Sequence, residues 1–391
     1  MQEVSEALRS GWLTTGPRTA RFEREFADYV EAPHAIAVNS ATAALHLALA
    51  GLEIGPGDEV ITTPMTFCAT VQAILHAGAT PVLADIGPDG NIDPEEIERR
   101  LTRRTRAIVP VHLAGLPCEM NTIWQIARER GLHVIEDAAH AVGARYRGRP
   151  IGAGPFGGSP ASDAVAFSFY ATKNLTTGEG GMLATHRPEL AQNARMLSLH
   201  GASHHAWERY SDHGDWYYEV LAHGFKYNLS DIQAAVGIHQ LHKLELFTDR
   251  RATYAALYNR ALGGLDEVEV PPVSPVCRHA WHLYILRLKL ARLRIDRDQF
   301  IRELRSRGIG ASVHFIPIPL HPYFAKLPLA QRCYPRALDL YQRIVSLPLY
   351  PALGEEQVEY VARQVREIAE ASRRPRQFAP GRPAAQLPLS A

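Results

Sequence analysis

A lysine stands inside "AFSFYATKNLTTGEGGMLAT", Ala166 to Thr185, between an apolar run and a glycine-rich turn. Lysines are almost never fully buried unless paired, so a solvated surface position is the ordinary expectation. Lys173 differs in its neighbours: Val165 to Phe169 is apolar and aromatic, and Gly178, Gly180 and Gly181 permit a tight, closely approaching backbone. An amine held at the mouth of a sheet is partly desolvated, its pKa falls, and it becomes a nucleophile towards carbonyls. Two other stretches bear on whether a carbonyl cofactor binds. "VNSATAAL" puts Asn39, Ser40 and Thr42 at the start of a helix near Ala41, where free N–H groups and a hydroxyl either seat a phosphate or simply cap the helix. "LHVIED" ends in Glu136 and Asp137. A carboxylate at the carboxyl end of a buried parallel strand is costly without a cationic partner such as a protonated ring nitrogen; capping the next helix is the local alternative. His140 falls on the same face if a helix starts there, or is structural. Phe67, in "TPMTFCAT", stacks on a ring or belongs to the core. A phosphate seat, a carboxylate for a ring nitrogen and an isolated lysine together match the needs of pyridoxal phosphate, where the lysine forms the Schiff base and the acid keeps the pyridine protonated.

The elements that must position these groups are legible in outline. From Ala35 to about Ile135 the runs "AIAV", "EVITT", "TPVLAD", "RAIVPV" and "HVIED" alternate with amphipathic stretches such as "ATAALHLALAGL". That order predicts an α/β unit with a mainly parallel sheet, whose sites lie at the carboxyl ends of the strands. "AVAFSF" and "GMLAT" extend the sheet, and a long helical pattern runs from Ser230 to about Leu262. A second unit follows, with a strand in "HLYILRLKL", a helix in "DRDQFIRELRSRG" closed by Gly308, and a last helix in "EEQVEYVARQVREIAEASRR". The tail after Arg374 is rich in proline and alanine and is expected to be disordered.

With 391 residues, 46% of them hydrophobic and 21% charged, the chain is of ordinary globular composition and long enough for a large and a smaller domain. A net charge of +1 gives no field of one sign for nucleic acid or an anionic membrane. No apolar run approaches a membrane span and the N-terminus lacks an apolar signal core, so a cytoplasmic protein is expected. Cys68, Cys118, Cys277 and Cys333 lie far apart without a C-x-x-C pair, which suggests neither a zinc site nor a disulfide framework. Gly152, Gly154 and Gly157 have G-x-G-x-x-G spacing, yet Pro155 and Pro160 deny them the helix a dinucleotide fingerprint needs. His200, His204, His205 and His213, with Asp212 and Asp215, form a polar loop group without recognised metal-ligand spacing. His239 and His242 are expected on a helix surface.

The motifs "SGWLTTGP", "GPGDEVITTPMTF", "VHLAG", "VIEDAAHA", "SFYATKNLTTGEGG", "KYNLSDIQAA", "AWHLYI" and "SLPLYP" span Ser10 to Pro351. Through them the chain resembles the DegT, DnrJ, EryC1 and StrS sugar aminotransferases, pyridoxal-phosphate enzymes of fold type I. The resemblance implies a large cofactor-binding α/β domain over 1–250 with a mainly parallel mixed sheet, a smaller α+β domain over 251–374, and a tail over 375–391. It implies that Lys173 is the Schiff-base lysine and Asp137 the pyridine partner. Ala41, Thr42 and Ser168 would hold the phosphate, Phe67 would take the ring-stacking place, and His140 would lie beside the cofactor. Asn228 would reach the phosphate across a homodimer interface, although Asn228 or Ser230 also suits as a cap for the helix that follows. His314, in "ASVHF", would lie near the sugar. The implied reaction carries an amino group from an amino acid, glutamate for preference, to a nucleotide-linked ketosugar, a 4-keto-6-deoxyhexose for preference. A ketocyclitol acceptor and a non-catalytic scaffold are the alternatives; a sugar dehydratase would carry histidine in place of Lys173. Two departures stand out: the family is expected to carry about a further helix's worth of residues before "SGWLTTGP", so the N-terminus looks short, and the segment between Ile151 and Ala164 is longer than the family's.

Overall fold

The β-branched runs become strands and the stretches between them helices in the computed structural model, which describes residues 1–155, 161–203 and 217–375. Its main sheet contains β1 (His34–Val38), β2 (Glu59–Thr62), β3 (Thr80–Leu83), β4 (Thr105–Ile108) and β5 (His133–Asp137). After the short hairpin β6 (Arg145–Tyr146) and β7 (Arg149–Pro150), it is completed by β8 (Ala164–Ser168) and β9 (Gly181–Thr185). Among the described residues this sheet has seven strands in the order β1-β9-β8-β5-β4-β2-β3. The block from β3 to β8 is parallel, and β9 runs antiparallel to both of its neighbours.

Strands covered on both faces favour apolar residues, and β2 and β8 are buried throughout, with Glu59 and Thr62 of β2 hydrogen-bonded to Thr102 and to the Val109 carbonyl. The period of two divides the cover. Val60, Ala107, Ile135 and Ala166 face one core with the helix α3 (Ala41–Gly51), whereas Ile61, Ile108, Val134 and Phe167 face another. Phe22 and Phe26 of α2 (Pro17–Val30), the helix after the N-terminal α1 (Gln2–Ser10), fill that second core and meet Phe167 and Phe169 edge-on or tilted.

The pattern expected to run unbroken from Ser230 to Leu262 is two helices, Asp231–Leu241 and Leu244–Leu262. Leu241 and Leu244 both belong to the core of the large sheet, whereas Tyr254, Tyr258 and Leu262 enter the core of the second unit. One straight helix does not serve both. Beyond it lie β10 (Val268–Glu269), β11 (Cys277–Arg278), β12 (Tyr284–Leu288) and β13 (Ile344–Leu347). β10, β12 and β13 form an antiparallel sheet, covered by the helices Arg297–Ser306 and Glu355–Ala371. The first of these opens with Asp296 accepting from Gln299 N at 2.7 Å and is followed by Gly308 at φ +74°, as its sequence predicts. β11 instead joins β6, so the chain reaches back to the large unit just before it enters the small sheet. From residue 376 onward the tail lies outside the described residues.

Candidate active site

The site gathers at the carboxyl ends of β5 and β8 and at the start of α3. Asp137 ends β5, Ser168 ends β8, and the two strands are direct parallel neighbours. Ser168 pairs with Gly181, which pairs on its other side with Val38, the last residue of β1. This register sets the Ser168 hydroxyl beside the turn into α3. A Cβ on Gly181 would stand 2.5 Å from the Ser40 carbonyl carbon and 2.7 Å from Ala41 N, so only glycine lets the strand pass so close. Ser40 caps α3 by accepting from Ala43 N at 3.1 Å, and the N–H groups of Ala41 and Thr42 have no acceptor among the described residues. Of the two sequence readings of "VNSATAAL", the cap is observed at Ser40, and two N–H groups at the positive end of the helix dipole stay open beside it.

Asp137 is 5% exposed, and no helix follows it. The capping alternative therefore falls. Its Oδ1 accepts from Ala139 N at 3.1 Å within a turn, and its Oδ2 accepts from Thr70 Oγ1 at 2.7 Å. Thr70 is on the first turn of α4 (Cys68–His76) and also meets Thr66 Oγ1 at 2.7 Å. No ion-pair contact to Asp137 forms among the described residues, and the nearby Lys173 attracts it only from beyond contact distance, which leaves a buried carboxylate held in orientation without a direct partner cation. A protonated ring nitrogen fits that need.

Lys173 lies in the loop between β8 and β9. Burial pushes its pKa down to about 8, against the attraction of the Asp137 carboxylate, and Nζ has no hydrogen-bond partner among the described residues. Three histidines surround it and stay neutral. His140 has a pKa well below the usual range, first through burial and then through the charges of Lys173 and His314. Its Nδ1 is buried with no partner among the described residues, and its ring stacks on Phe315 at 5.7 Å and lies 4.4 Å from the His282 ring. It sits in the turn after β5, not on a helix. His314 is brought to the same place by β13, where its Nδ1 lies 2.8 Å from Ser346 Oγ; burial and Lys173 lower its pKa to about 4.

Phe67 is no core residue. It is 61% exposed at the start of α4, 6.1 Å from the Phe315 ring. Asn228 is not a helix cap either, since Ser230 takes that role with Gln233 in a capping box. Asn228 Nδ2 donates to Thr15 Oγ1 at 2.9 Å, and its backbone bridges to Val38, two residues before Ser40. His239 and His242 are half-exposed and face Glu3 and Glu25. Of the candidate metal group, His204, His205, Asp212, His213 and Asp215 lie outside the described residues, as does Gly157. Thr70, Asn174 and His282 are additions that sequence reasoning missed. Their partners are 67, 106 and 108 residues away, and no local pattern marks such contacts.

Comparison with known proteins agrees with this geometry. The model of the DegT/DnrJ/EryC1/StrS aminotransferase family matches residues 1–366. The chain is 50% identical over 371 residues to the spore coat polysaccharide biosynthesis protein SpsC of Bacillus subtilis (strain 168), covering 94% of each. The solved structure of S. venezuelae DesV matches with a TM-score of 0.86 at 40% identity over 94% of each chain. The PLP-form of Spr1654 from Streptococcus pneumoniae matches with a TM-score of 0.86 at 34% identity over 95% of each.

Proposed function

The chain belongs to the DegT/DnrJ/EryC1/StrS aminotransferase family, as a sugar aminotransferase that uses pyridoxal 5′-phosphate, and from that premise we propose its substrates and the roles of its residues. The amino donor is an amino acid, L-glutamate, and the acceptor is the keto group of a nucleotide-linked sugar, a 4-keto-6-deoxyhexose. The observation that carries the reading is the buried, unpaired carboxylate of Asp137 facing a desolvated Lys173, beside two free N–H groups of α3.

When bound, the cofactor supplies a carbonyl carbon and an electron-withdrawing pyridine ring. The chain's residues hold it and move protons. The N–H groups of Ala41 and Thr42 and the Ser168 hydroxyl take the phosphate. Asp137, oriented by Thr70 and Ala139, holds the proton on the ring nitrogen. With a pKa of about 8, Lys173 Nζ is partly uncharged near neutral pH, and it is the group that accepts a proton from the donor's α-carbon and returns one in the second half of the reaction. Phe67 and His140 flank the ring, and the neutral His314 faces the sugar.

The division into domains near residue 250, a cytoplasmic location and a homodimer belong to the same proposal. Exposed Val220 and Leu221, at 66% and 61%, support a partner surface close to Asn228. In that dimer Asn228 serves the partner's phosphate seat. The name of SpsC supports an acceptor used for polysaccharide.

Two measurements test this reading. Holoenzyme incubated with glutamate and a panel of ketosugar nucleotides is expected to aminate a 4-keto-6-deoxyhexose, read by mass; conversion of ketocyclitols alone overturns the acceptor. Borohydride reduction is expected to fix the cofactor to the peptide containing Lys173, and label on another lysine overturns the site.

A further inference from the structure

Asn174, the residue after Lys173, is 4% exposed and reaches across to the segment that leads into β12. Its Nδ2 donates to the Ala280 carbonyl at 2.8 Å, and its Oδ1 lies 3.2 Å from His282 Nδ1. A carbonyl only accepts, so the amide nitrogen faces Ala280 and the amide oxygen faces His282, whose proton is therefore on Nδ1.

The same segment grips the other half of the site. Ala280 N donates to Gly115 O at 2.9 Å, and His282 N donates to Ala114 O at 2.9 Å. That turn follows His112, whose N donates to Asp137 O at 3.2 Å and whose Nε2 meets Glu136 Oε2 at 2.6 Å. His112 Nδ1 accepts from Cys118 N, so the ring is neutral and donates through Nε2. Gly115 makes the approach possible, because a Cβ there would stand 2.6 Å from the His140 carbonyl oxygen. Behind the segment, Arg251 is 3% exposed and its Nη1 donates to the carbonyls of Trp281, His282 and Leu349 at 3.1, 3.2 and 2.8 Å. No carboxylate pairs with it among the described residues. Trp281 itself holds φ +50°, a left-handed conformation that a bulky side chain rarely adopts. Such strain persists where the surroundings over-determine it, and it collects at functional sites.

We infer that residues 280–282 form a bracket, carried by the small sheet, that sets Lys173 against Asp137, with Asn174 and Arg251 as its positioning residues. A continuous path runs from Lys173 through Asn174, the bracket, the 114–115 turn and His112 to Asp137. The inference rests on Lys173 and Asp137 being the working pair. Asn174 and Arg251 spend their hydrogen bonds on the protein itself, and they fix the separation of the reacting groups.

The test compares holoenzyme with Asn174→Ala and Arg251→Lys. Misplacement on the scale of an ångström costs up to about 100-fold in rate, so Asn174→Ala is expected to lower kcat by about 10- to 100-fold. The KM for the amino donor should stay within about twofold, because donor binding is not what the bracket supplies. The pH at which the visible band of the holoenzyme changes should move by about half a unit or more, since the surroundings of Lys173 have changed. Arg251→Lys keeps a buried cation but reaches fewer carbonyls, so it should show the same signs at smaller size. This variant decides the matter should Asn174→Ala fail to fold. Earlier melting with kcat, KM and pH profile at parent values makes these residues packing only and overturns the bracket. Borohydride label on Lys173 in the parent, with unaffected variants, rejects the bracket alone; label elsewhere rejects the Lys173 assignment beneath it.

Discussion

Lys173 carries its reactivity as a defect of stability. Burial lowers its pKa from 10.5 to about 8, so below about pH 8 the cofactor-free enzyme holds a cation where water is scarce. Between about 8 and 10.5 the unfolded chain binds a proton that the folded chain has lost, so the folded state gains stability as pH rises through that window. Below the window the full cost is present. At about 1.4 kcal/mol per unit, the displacement corresponds to about 3 kcal/mol. Cofactor-free Lys173→Met is therefore expected to be more stable than the cofactor-free parent by up to about 3 kcal/mol near neutral pH. The gap should narrow as pH rises towards 10.5, and urea titrations on both sides of the window measure it. A gap that does not change with pH would show that Lys173 is solvated. His140, His282 and His314 do not add to the cost, because all three are held neutral beside the cation.

At the scale of elements, the proposed phosphate seat depends on β9 more than on the helix it serves. Gly181 is the hinge pin between β1 and β8, and its missing side chain is the space that the Ser40–Ala41 peptide occupies. Gly181→Ala puts a methyl group against backbone, which does not yield as a flexible side chain does. The variant is expected to bind pyridoxal phosphate about 10-fold or more weakly, while its sheet persists because the pairing positions are unchanged. Fluorescence titration with the cofactor and far-ultraviolet circular dichroism check the two halves of that expectation. The sequence made most of this frame legible for a local reason: the buried strands carry short β-branched and apolar runs, and two of the helices near the site open at Ser40 and Ser230. "AFSFYATKNLTTGEGG" pointed to Lys173 by the same local contrast. What stayed hidden depends on distant partners. Thr70 is one threonine among several until Asp137 is placed beside it, and Asn228 and Ser230 look equally fit to cap a helix until Gln233 is seen to bond Ser230. The break at His242 and Lys243 is invisible for a related reason, since the two cores that the flanking leucines and tyrosines join are both built from remote residues.

The whole molecule is expected to work as a pair of chains. Asn228 is tied to Thr15 in its own chain, and in the proposed dimer it serves the partner's seat. Lys173→Ala and Asn228→Ala, each with little activity alone, can be dissociated together and allowed to reassort. Random reassortment of equal amounts makes half of the dimers mixed, each with one intact site, so activity should return to about a quarter of the parent value. No recovery with mixed dimers present would confine Asn228 to its own chain. The linear order of the parts carries a different meaning. Asp137, Lys173 and the phosphate seat are all translated by residue 181, whereas the 280–282 bracket follows Lys173 by about 100 residues. At about 5–20 residues per second the ribosome needs roughly 5–20 s to close that interval. During it, a nascent chain owns the groups that capture an aldehyde but lacks the frame that aligns them. Until that interval closes, the seat on the chain lacks the bracket that sets Lys173 against Asp137.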